Sequence, residues 1–181
     1  MKSIKSNILH GHKLYLSNAT ANDAEFIISL RTDATKNKYL SQTNADIEEQ
    51  RSWLLKYQGD PMQAYFIINE IGGEKIGTVR IYDIIGDSFC WGSWILKNNA
   101  PSFAAIESAL IVYSYGLKLG FTQAHFDVRK GNDSVSRFHE RFGATIISDN
   151  EIDYFYNISF DAINKSLNKY RKYLPDGIKI Y

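Results

Sequence analysis

Residues 127–143 read DVRKGNDSVSRFHERFG and describe the end of a strand, a polar turn and a short helix. Asn132 or Asp133 is placed to cap this helix, because a short side-chain oxygen can accept from the N–H groups of a first turn. Three apolar residues recur at helical spacing and predict one buried face: Val135, Phe138 and Phe142. Gly143 follows where a left-handed residue commonly ends a helix. The segment therefore predicts a strand–turn–helix unit.

The chain on either side of this unit predicts an ordered series of further elements. Before it come a strand at 13–16, a helix capped at Asn22 or Asp23 and ending near Arg31, and a helix at 46–57. Three strands follow at 64–70, 75–85 and 88–96, joined by glycine-containing tight turns. A long amphipathic helix at 102–118 and a strand at 122–128 lead into the unit. After it, a hairpin at 145–148 and 154–159 and a polar helix at 161–172 complete the chain.

This order, β-α-α-β-β-β-α-β-α-β-β, resembles the GNAT superfamily of acyl-CoA-dependent N-acyltransferases over about residues 12–160. The offsets after Asn132 also resemble the second conserved block of that family, because a titratable His139 follows seven residues later and Gly143 four residues after that. The resemblance implies an α+β fold, mixed in three layers, with a central, mostly antiparallel twisted sheet flanked by helices. It implies one domain, 1–181, with a core at about 12–160 and a C-terminal helical tail at 161–181.

The resemblance also implies a site for acetyl-CoA, used as a co-substrate. The family holds the diphosphate of CoA on a small-residue loop at a helix N-terminus, where unpaired N–H groups and the helix dipole attract an anion. Here that loop falls on five residues: Asn99, Ala100, Ser102, Phe103 and Ala104. The family's arginine and glycines are missing from it, and Pro101 removes one N–H donor. Ser102 is placed either to cap the following helix or to donate to a phosphate.

The pantetheine arm of CoA is expected beside the strand that ends at residue 96. The resemblance assigns cofactor contacts there and on the 132–143 helix to six residues: Trp94, Ile95, Leu96, Asn132, Val135 and Phe138. The N–H of Leu96 or of its neighbour would point at the thioester oxygen, where a preorganised donor stabilises developing charge. Asn132 would both cap its helix and hold the arm.

His139 occupies the position at which many members carry a tyrosine that protonates the departing thiolate. A lone histidine on a helix face is more often structural, but imidazolium is acidic enough to protonate a thiolate. This chemistry predicts a rate that falls as the pH rises. His125 and Asp127 point to one side of their strand and form a second candidate, either a base relay or a solvated pair.

Composition restricts the remaining possibilities. The net charge of +1 gives no field that would attract nucleic acid or an anionic membrane, and no apolar run is long enough to span a bilayer. The single cysteine excludes an internal disulfide, and together with the absence of a signal-peptide pattern it predicts a cytoplasmic protein. His10 and His12 lack further ligands, so no metal is expected.

The expected activity is transfer of an acetyl group to a primary amine of a small molecule. Sequence segments such as KIGTVRIYD resemble GNAT enzymes that acylate amino sugars on nucleotide carriers for surface polysaccharides. They resemble less closely the enzymes that acetylate the N-termini of ribosomal proteins. A non-catalytic module of the same fold is the rival from another class, since the phosphate loop has lost its glycines. The tail helix and the last hairpin are candidate surfaces for a homodimer, and the sequence does not decide between a monomer and a dimer.

Overall fold

A computed structural model describes residues 3–181, which form nine strands and five α-helices. The strands are β1 (Ile8–His10), β2 (Leu14–Asn18), β3 (Ala64–Glu70), β4 (Lys75–Ile85), β5 (Ser88–Leu96), β6 (Gln123–Arg129), β7 (Thr145–Asp149), β8 (Asp153–Ile158) and β9 (Lys179–Ile180). The helices are α1 (Ala24–Arg31), α2 (Ile47–Gln58), α3 (Ala104–Lys118), α4 (Asp133–Arg141) and α5 (Phe160–Lys169).

All nine strands form one sheet in the order β7-β8-β6-β5-β4-β3-β2-β1-β9. Every neighbouring pair is antiparallel except β5 and β6, which run parallel because the α3 crossover connects them. The strands of the central meander, β3 to β5, have the bounds that the sequence predicts. The mostly antiparallel sheet of the expected fold class is therefore confirmed.

Helices cover both faces of the sheet, which makes three layers. Alternation along β3 sends Tyr65 and Ile67 to one face, where they pack with α1 and α2 in a small apolar cluster. Phe66 and Ile68 point to the opposite face and join the main core, which α3, α4 and α5 complete. The expected layering is confirmed as well.

The sheet extends beyond the predicted core of residues 12–160 at both ends of the chain. Residues 8–10 form β1 beside β2, and residues 179–180 pair with β1 as the last strand. The tail helix α5 also packs on the core, since Ser166 donates to the carbonyl of Phe142 and the Tyr170 ring stacks on the Phe142 ring. Such short strands carry no alternation that a sequence pattern can reveal, because their pairing partners alone define them.

A buried carboxylate ties the β1–β2 turn to α3. Glu107 is 1% exposed, and its Oε1 accepts from the backbone N–H groups of His12, Lys13 and Leu14 at 2.8, 2.7 and 2.9 Å. A side chain at Gly11 would collide with this carboxylate, because a Cβ at that position would lie 2.8 Å from Oε1. Three consecutive backbone donors thus replace the water that the carboxylate loses on burial.

We expect Glu107→Gln to destabilise the fold by about 2–3 kcal/mol, because a neutral amide accepts these hydrogen bonds less strongly than a carboxylate and adds a buried donor. Urea unfolding at neutral pH measures the change. Glu25→Gln, on the exposed face of α1, is the matched control and should change stability by less than about 0.5 kcal/mol. Equal and small effects at both positions would contradict a structural role for the Glu107 charge.

Candidate active site

The sheet opens between its two parallel strands. β5 and β6 pair only through Ser88 with Gln123, Phe89 with Ala124 and Cys90 with His125. Beyond these pairs both strands continue, to Leu96 and to Arg129, without further pairing to each other. The backbone groups on the facing edges of the two strands are therefore available to a ligand.

An aromatic cluster occupies the point where the strands separate. The His139 ring lies 4.1 Å from the Phe126 ring and 5.3 Å from the Trp91 ring, measured between centroids. Trp94 packs at 5.0 Å on Phe138, and its indole nitrogen donates to the Ser108 hydroxyl at 3.1 Å. These rings fill the space between β5, β6 and α4, so the strands cannot close on each other.

A bulge redirects β5 beside the opening. Thr78 pairs with Ile95 and Arg80 with Gly92, so one intervening residue of β4 faces two of β5. Ser93, in the bulge, has a φ of +46°, a left-handed conformation that is strained for a residue other than glycine. Past the bulge, the N–H of Lys97 donates to Ile76 of β4 at 2.7 Å. Alternation along the strand then turns the N–H of Leu96 away from β4 and toward the opening.

Three connected cavities lead through this opening. The strand–helix cavity, about 350 Å³, lies between β5 and α4 and is lined by Thr35, Lys36, Tyr39, Leu40, Trp94, Ile95, Leu96, Asn132, Ser134 and Val135. The junction cavity, about 180 Å³, is lined by Arg31, Tyr39, Leu40, Ser41, Tyr82, Trp91, Gly92, Ser93, Trp94, Phe126, Asp127, Asn132, Val135 and His139. The arginine pocket, about 280 Å³, is lined by Arg31, Gln42, Thr43, Asn44, Asp46, Glu49, Gln50, Trp53, Tyr65, Arg80 and Ser93.

Shared wall residues show that the three cavities are contiguous. Trp94, Asn132 and Val135 line both the strand–helix cavity and the junction cavity. Arg31 and Ser93 line both the junction cavity and the arginine pocket. The junction cavity therefore adjoins a cavity on the α4 side of the opening and a cavity on the side covered by α1 and α2.

The segment between α1 and α2 forms part of the cavity walls and is anchored to both sides of the opening. The Tyr39 hydroxyl donates to the carbonyl of Gly131 at 2.9 Å, on the β6–α4 turn. Asn98, on the loop after β5, donates from its side chain to the Thr35 hydroxyl at 2.9 Å. The sequence does not reveal Thr35, Lys36 and Leu40 as site residues, because a loop without periodicity carries no signal of what it covers.

The predicted cofactor residues fall into two groups. Trp94, Ile95, Leu96, Asn132 and Val135 line the cavities, and Phe138 supports the Trp94 ring from behind. The remaining five line none of the three cavities and form the loop and first turn that lead into α3: Asn99, Ala100, Ser102, Phe103 and Ala104.

The expected capping role of Ser102 is wrong. α3 begins at Ala104, two residues later than predicted, with Phe103 at the N-cap and no side-chain capping bond. The turn before it is closed by backbone instead, since the N–H of Ala104 donates to the carbonyl of Pro101 at 2.9 Å. Within residues 3–181 the N–H groups of Ala105 and Ile106 find no backbone acceptor, so first-turn donors remain free for an anion.

Asn132 is also not a cap in the predicted sense. It stands at the N-cap position of α4 with φ −84° and ψ 63°, and its side chain accepts no hydrogen bond from the helix. That geometry leaves the side-chain amide free at a wall shared by two cavities. The predicted end of the helix is confirmed, because Gly143 has a φ of +96° and its N–H donates to Glu140 at 2.9 Å.

His139 lines the junction cavity, but in a different protonation state from the one expected. Its side chain is 5% exposed, its Nδ1 has no partner in the described chain, and burial lowers the pKa of the imidazole to about 3. No carboxylate compensates for the lost hydration, so the ring is neutral at physiological pH. The expectation that an imidazolium loses its proton near neutrality, and that the rate falls accordingly, is therefore wrong.

Of the second candidate pair, only Asp127 lines a cavity. It lies exposed at the junction cavity, while Phe126 and Val128 are buried on the other face of β6, as predicted. Although the residue is exposed as a whole, partial burial of its carboxylate raises the pKa of Asp127, and the charge of Asp153 acts in the same direction. His125 instead engages Ser88, with 2.7 Å between its Nδ1 and the hydroxyl.

Two structural findings concern other classes of function. No group of three or more His, Cys, Asp or Glu side chains is arranged to hold a metal ion in the part of the chain that the structure describes. Among residues 3–181, no helix combines the length and the apolar character that crossing a membrane requires.

The family model for the acetyltransferase (GNAT) domain matches residues 13–145, well over half of the chain. This protein belongs to the GNAT family. The GNAT chain is similar to a solved apo structure described as FdhC, a nucleotide-linked sugar GNAT, with a TM-score of 0.81 and 39% identity over 95% of this chain and 98% of the other. A search of curated protein sequences gives no match.

More distant GNAT structures share the fold. A GNAT-family acetyltransferase from Bacillus anthracis has a TM-score of 0.73 and 18% identity, covering 85% of this chain and 99% of its own. Spermidine N-acetyltransferase from Vibrio cholerae, solved with CoA and spermine, has a TM-score of 0.74 and 17% identity, covering 84% and 98%. The opening between β5 and β6 therefore lies in the fold of an acyltransferase family.

The buried neutral imidazole predicts a specific acid sensitivity. In the unfolded chain His139 takes up a proton near pH ~6.5, whereas the folded protein resists protonation until about pH 3. The unfolded state thus binds more protons between these values, and stability falls as the pH falls through this window. From pH 7 to pH 5 the wild type should lose about 2 kcal/mol more than His139→Phe, as measured by urea unfolding at each pH. Parallel losses in the two proteins would show that the imidazole is protonated in the fold.

Proposed function

We propose that this protein transfers an acetyl group from acetyl-CoA to the primary amine of an amino sugar carried on a nucleotide. The observation that carries the proposal is the junction cavity, which adjoins one cavity on the α4 side and another on the α1–α2 side and so offers a place where two substrates can meet. Holding both reactants together removes much of the entropic cost of a bimolecular reaction. The cytoplasmic setting expected from the composition remains a prediction.

The residues on the α4 side fit the donor. Acetyl-CoA supplies the activated acyl carbon and a thiolate leaving group. The free first-turn N–H groups of α3 suit its diphosphate although the loop lacks glycines, because donors at a helix N-terminus do not need a left-handed backbone. The Leu96 N–H, facing the opening, is placed to hold an oxyanion, and the free amide of Asn132 to hold the arm.

The residues on the α1–α2 side support a sugar nucleotide as acceptor. Similarity at 39% identity to a protein described as a nucleotide-linked sugar GNAT favours this class. The arginine pocket offers aromatic walls at Trp53 and Tyr65 and many neutral polar groups. No similarity of comparable strength supports the alternative of a ribosomal N-terminal acetyltransferase, which is therefore less well supported.

Two side chains of the junction cavity have separate roles, one toward the attacking amine and one toward the leaving thiolate. Asp127 is the one carboxylate among its lining residues in the described chain, and it is placed to accept a proton from the acceptor ammonium. His139, held neutral, offers an N–H hydrogen bond to charge on the leaving sulfur rather than a proton. Its catalytic role is thus proposed in this altered form, with the thiolate taking its proton from water.

Binding of acetyl-CoA is the first test. Titration calorimetry with acetyl-CoA and desulfo-CoA should give micromolar affinity, and a hundredfold excess over Kd should stabilise the fold by about 2.7 kcal/mol. Release of CoA on screening amino-sugar nucleotides against simple amines and peptides then identifies the acceptor. Absence of heat and of thermal shift at millimolar acetyl-CoA would support the non-catalytic module instead.

Asn132→Ala should separate ligand binding from stability. Because the side chain makes no capping bond, we expect a change in unfolding free energy below about 0.5 kcal/mol. Loss of one hydrogen bond to the donor should weaken acetyl-CoA binding about tenfold, measured by the same titration. Asn164→Ala, at an exposed position on α5, is the control. A destabilised variant with unchanged affinity would restore the capping role and remove the binding role.

Profiles of rate against pH should distinguish Asp127 from His139. His139→Phe should lower kcat about 10- to 100-fold by the same factor from pH 6 to pH 9, since the imidazole does not titrate there. Asp127→Asn should lower kcat/KM about 100-fold at neutral pH, with the deficit shrinking as the pH rises and more free amine is present. A deficit of Asp127→Asn that is independent of pH, or wild-type turnover in His139→Phe, would contradict these roles.

A further inference from the structure

The arginine pocket contains two arginines that have no salt-bridge partner in the described part of the chain. Arg31, at the end of α1, and Arg80, on β4, line its wall, and neither forms a salt bridge within residues 3–181. By contrast, Arg129 pairs with Asp153 at 2.8 Å and Arg51 pairs with Glu48. Guanidinium groups placed in a shared cavity are usually neutralised by a carboxylate or a ligand.

Neutral oxygens hold each guanidinium in place. The Nε of Arg31 donates to the Thr43 hydroxyl at 2.7 Å. The Nε of Arg80 donates to the side-chain oxygen of Gln63 at 3.0 Å, and its Nη2 donates to the same oxygen. These hydrogen bonds fix the orientation of both guanidinium groups. In each group, N–H donors remain that have no charged acceptor.

The Arg80 side chain is also fixed by aromatic rings. Its guanidinium carbon lies 5.0 Å from the centroid of Trp53 and 4.6 Å from that of Tyr82. Burial lowers the pKa of Arg80, and the nearby charge of Arg31 contributes in the same direction. The two cations thus repel each other in a partly desolvated place, and a bound anion would relieve both costs.

The two acidic residues of the pocket form no salt bridge with either arginine. The carboxylate of Asp46 caps α2 by accepting the N–H groups of Glu48 and Glu49 at 2.9 and 3.2 Å. The carboxylate of Glu49 accepts from the Asn44 side chain at 2.8 Å. Both acids are engaged locally, on the helix and loop side of the pocket.

The position of the pocket restricts what the anion belongs to. Arg31 and Ser93 also line the junction cavity, so a group bound by the arginines lies directly beside the place where the amine reacts. A single carboxylate can accept from one guanidinium group, whereas a diphosphate presents the oxygens of two phosphoryl groups to two separate guanidinium groups. The volume of about 280 Å³ also exceeds the need of a lone carboxylate.

We propose that the arginine pocket binds the diphosphate of the acceptor, with Arg31 and Arg80 recognising a nucleotide-linked sugar by its phosphoryl oxygens. This inference rests on the proposed function and names the part of that substrate which the α1–α2 side selects. The charge on the acceptor, rather than its sugar ring, then supplies much of the binding energy.

Titration calorimetry with uridine diphosphate and thymidine diphosphate tests the site, with the matching nucleosides and citrate as comparison ligands. Desulfo-CoA is added in a parallel series so that a diphosphate site on the donor side is filled. We expect the diphosphates to bind and the nucleosides and citrate to bind at least about tenfold more weakly. Arg31→Gln and Arg80→Gln should each weaken diphosphate binding about 10- to 100-fold and leave acetyl-CoA affinity within about twofold.

Two further variants distinguish a specific loss of diphosphate binding from a loss caused by misfolding or by a change of charge elsewhere. Arg80→Lys retains the charge without the fork and should recover part of the affinity, and circular dichroism confirms that each variant is folded. Arg51→Gln, the matched control on the outer face of α2, should bind diphosphate like the wild type. Diphosphate binding that is absent, that survives both Gln variants, or that citrate equals would overturn the proposal.

The outcome is separable from that of the proposed function. Acylation of an amine without any effect of Arg31→Gln or Arg80→Gln would overturn the diphosphate site and leave the acyltransferase intact. Diphosphate binding that depends on both arginines, in a protein that does not bind acetyl-CoA, would support the site and refute the transferase.

Discussion

The whole arrangement depends on the short pairing between β5 and β6. Three residue pairs hold the strands together, and a cluster of aromatic rings then keeps them apart. Had the ladder continued, the edges of both strands would be saturated and the sheet would separate the α4 side from the α1–α2 side completely. This aromatic cluster is therefore as much a part of the site as any polar side chain, because it keeps the backbone donors on the facing strand edges unpaired.

Two buried ionisable groups show how the surroundings decide charge in this protein. Glu107 has three backbone donors around one oxygen and anchors the β1–β2 turn to α3. His139 has aromatic neighbours and no charged partner, so the same loss of water drives it to the neutral form. The two sites thus differ in whether polar partners replace the water that is lost on burial.

The same reasoning connects the two sides of the site. On the α4 side, the donors are backbone N–H groups and the side-chain amide of Asn132. On the α1–α2 side, the donors are two guanidinium groups oriented by Thr43 and Gln63. Side chains can change without altering the fold, so acceptor selection is expected to reside there, on a scaffold shared with GNAT structures below 20% identity.

The sequence by itself determined the order of the elements from β2 to α5, the bounds of the central meander and the strand–turn–helix unit around Asn132. These follow from local periodicity and turn chemistry, which act over a few residues. Only the tertiary structure decided that Asn132 leaves its helix uncapped, that His139 is neutral and that β1 and β9 exist. It alone brought Arg31 and Arg80, which are distant in the chain, to one pocket. Burial, strand pairing and the meeting of distant charges are properties of the packed chain, and no local pattern encodes them.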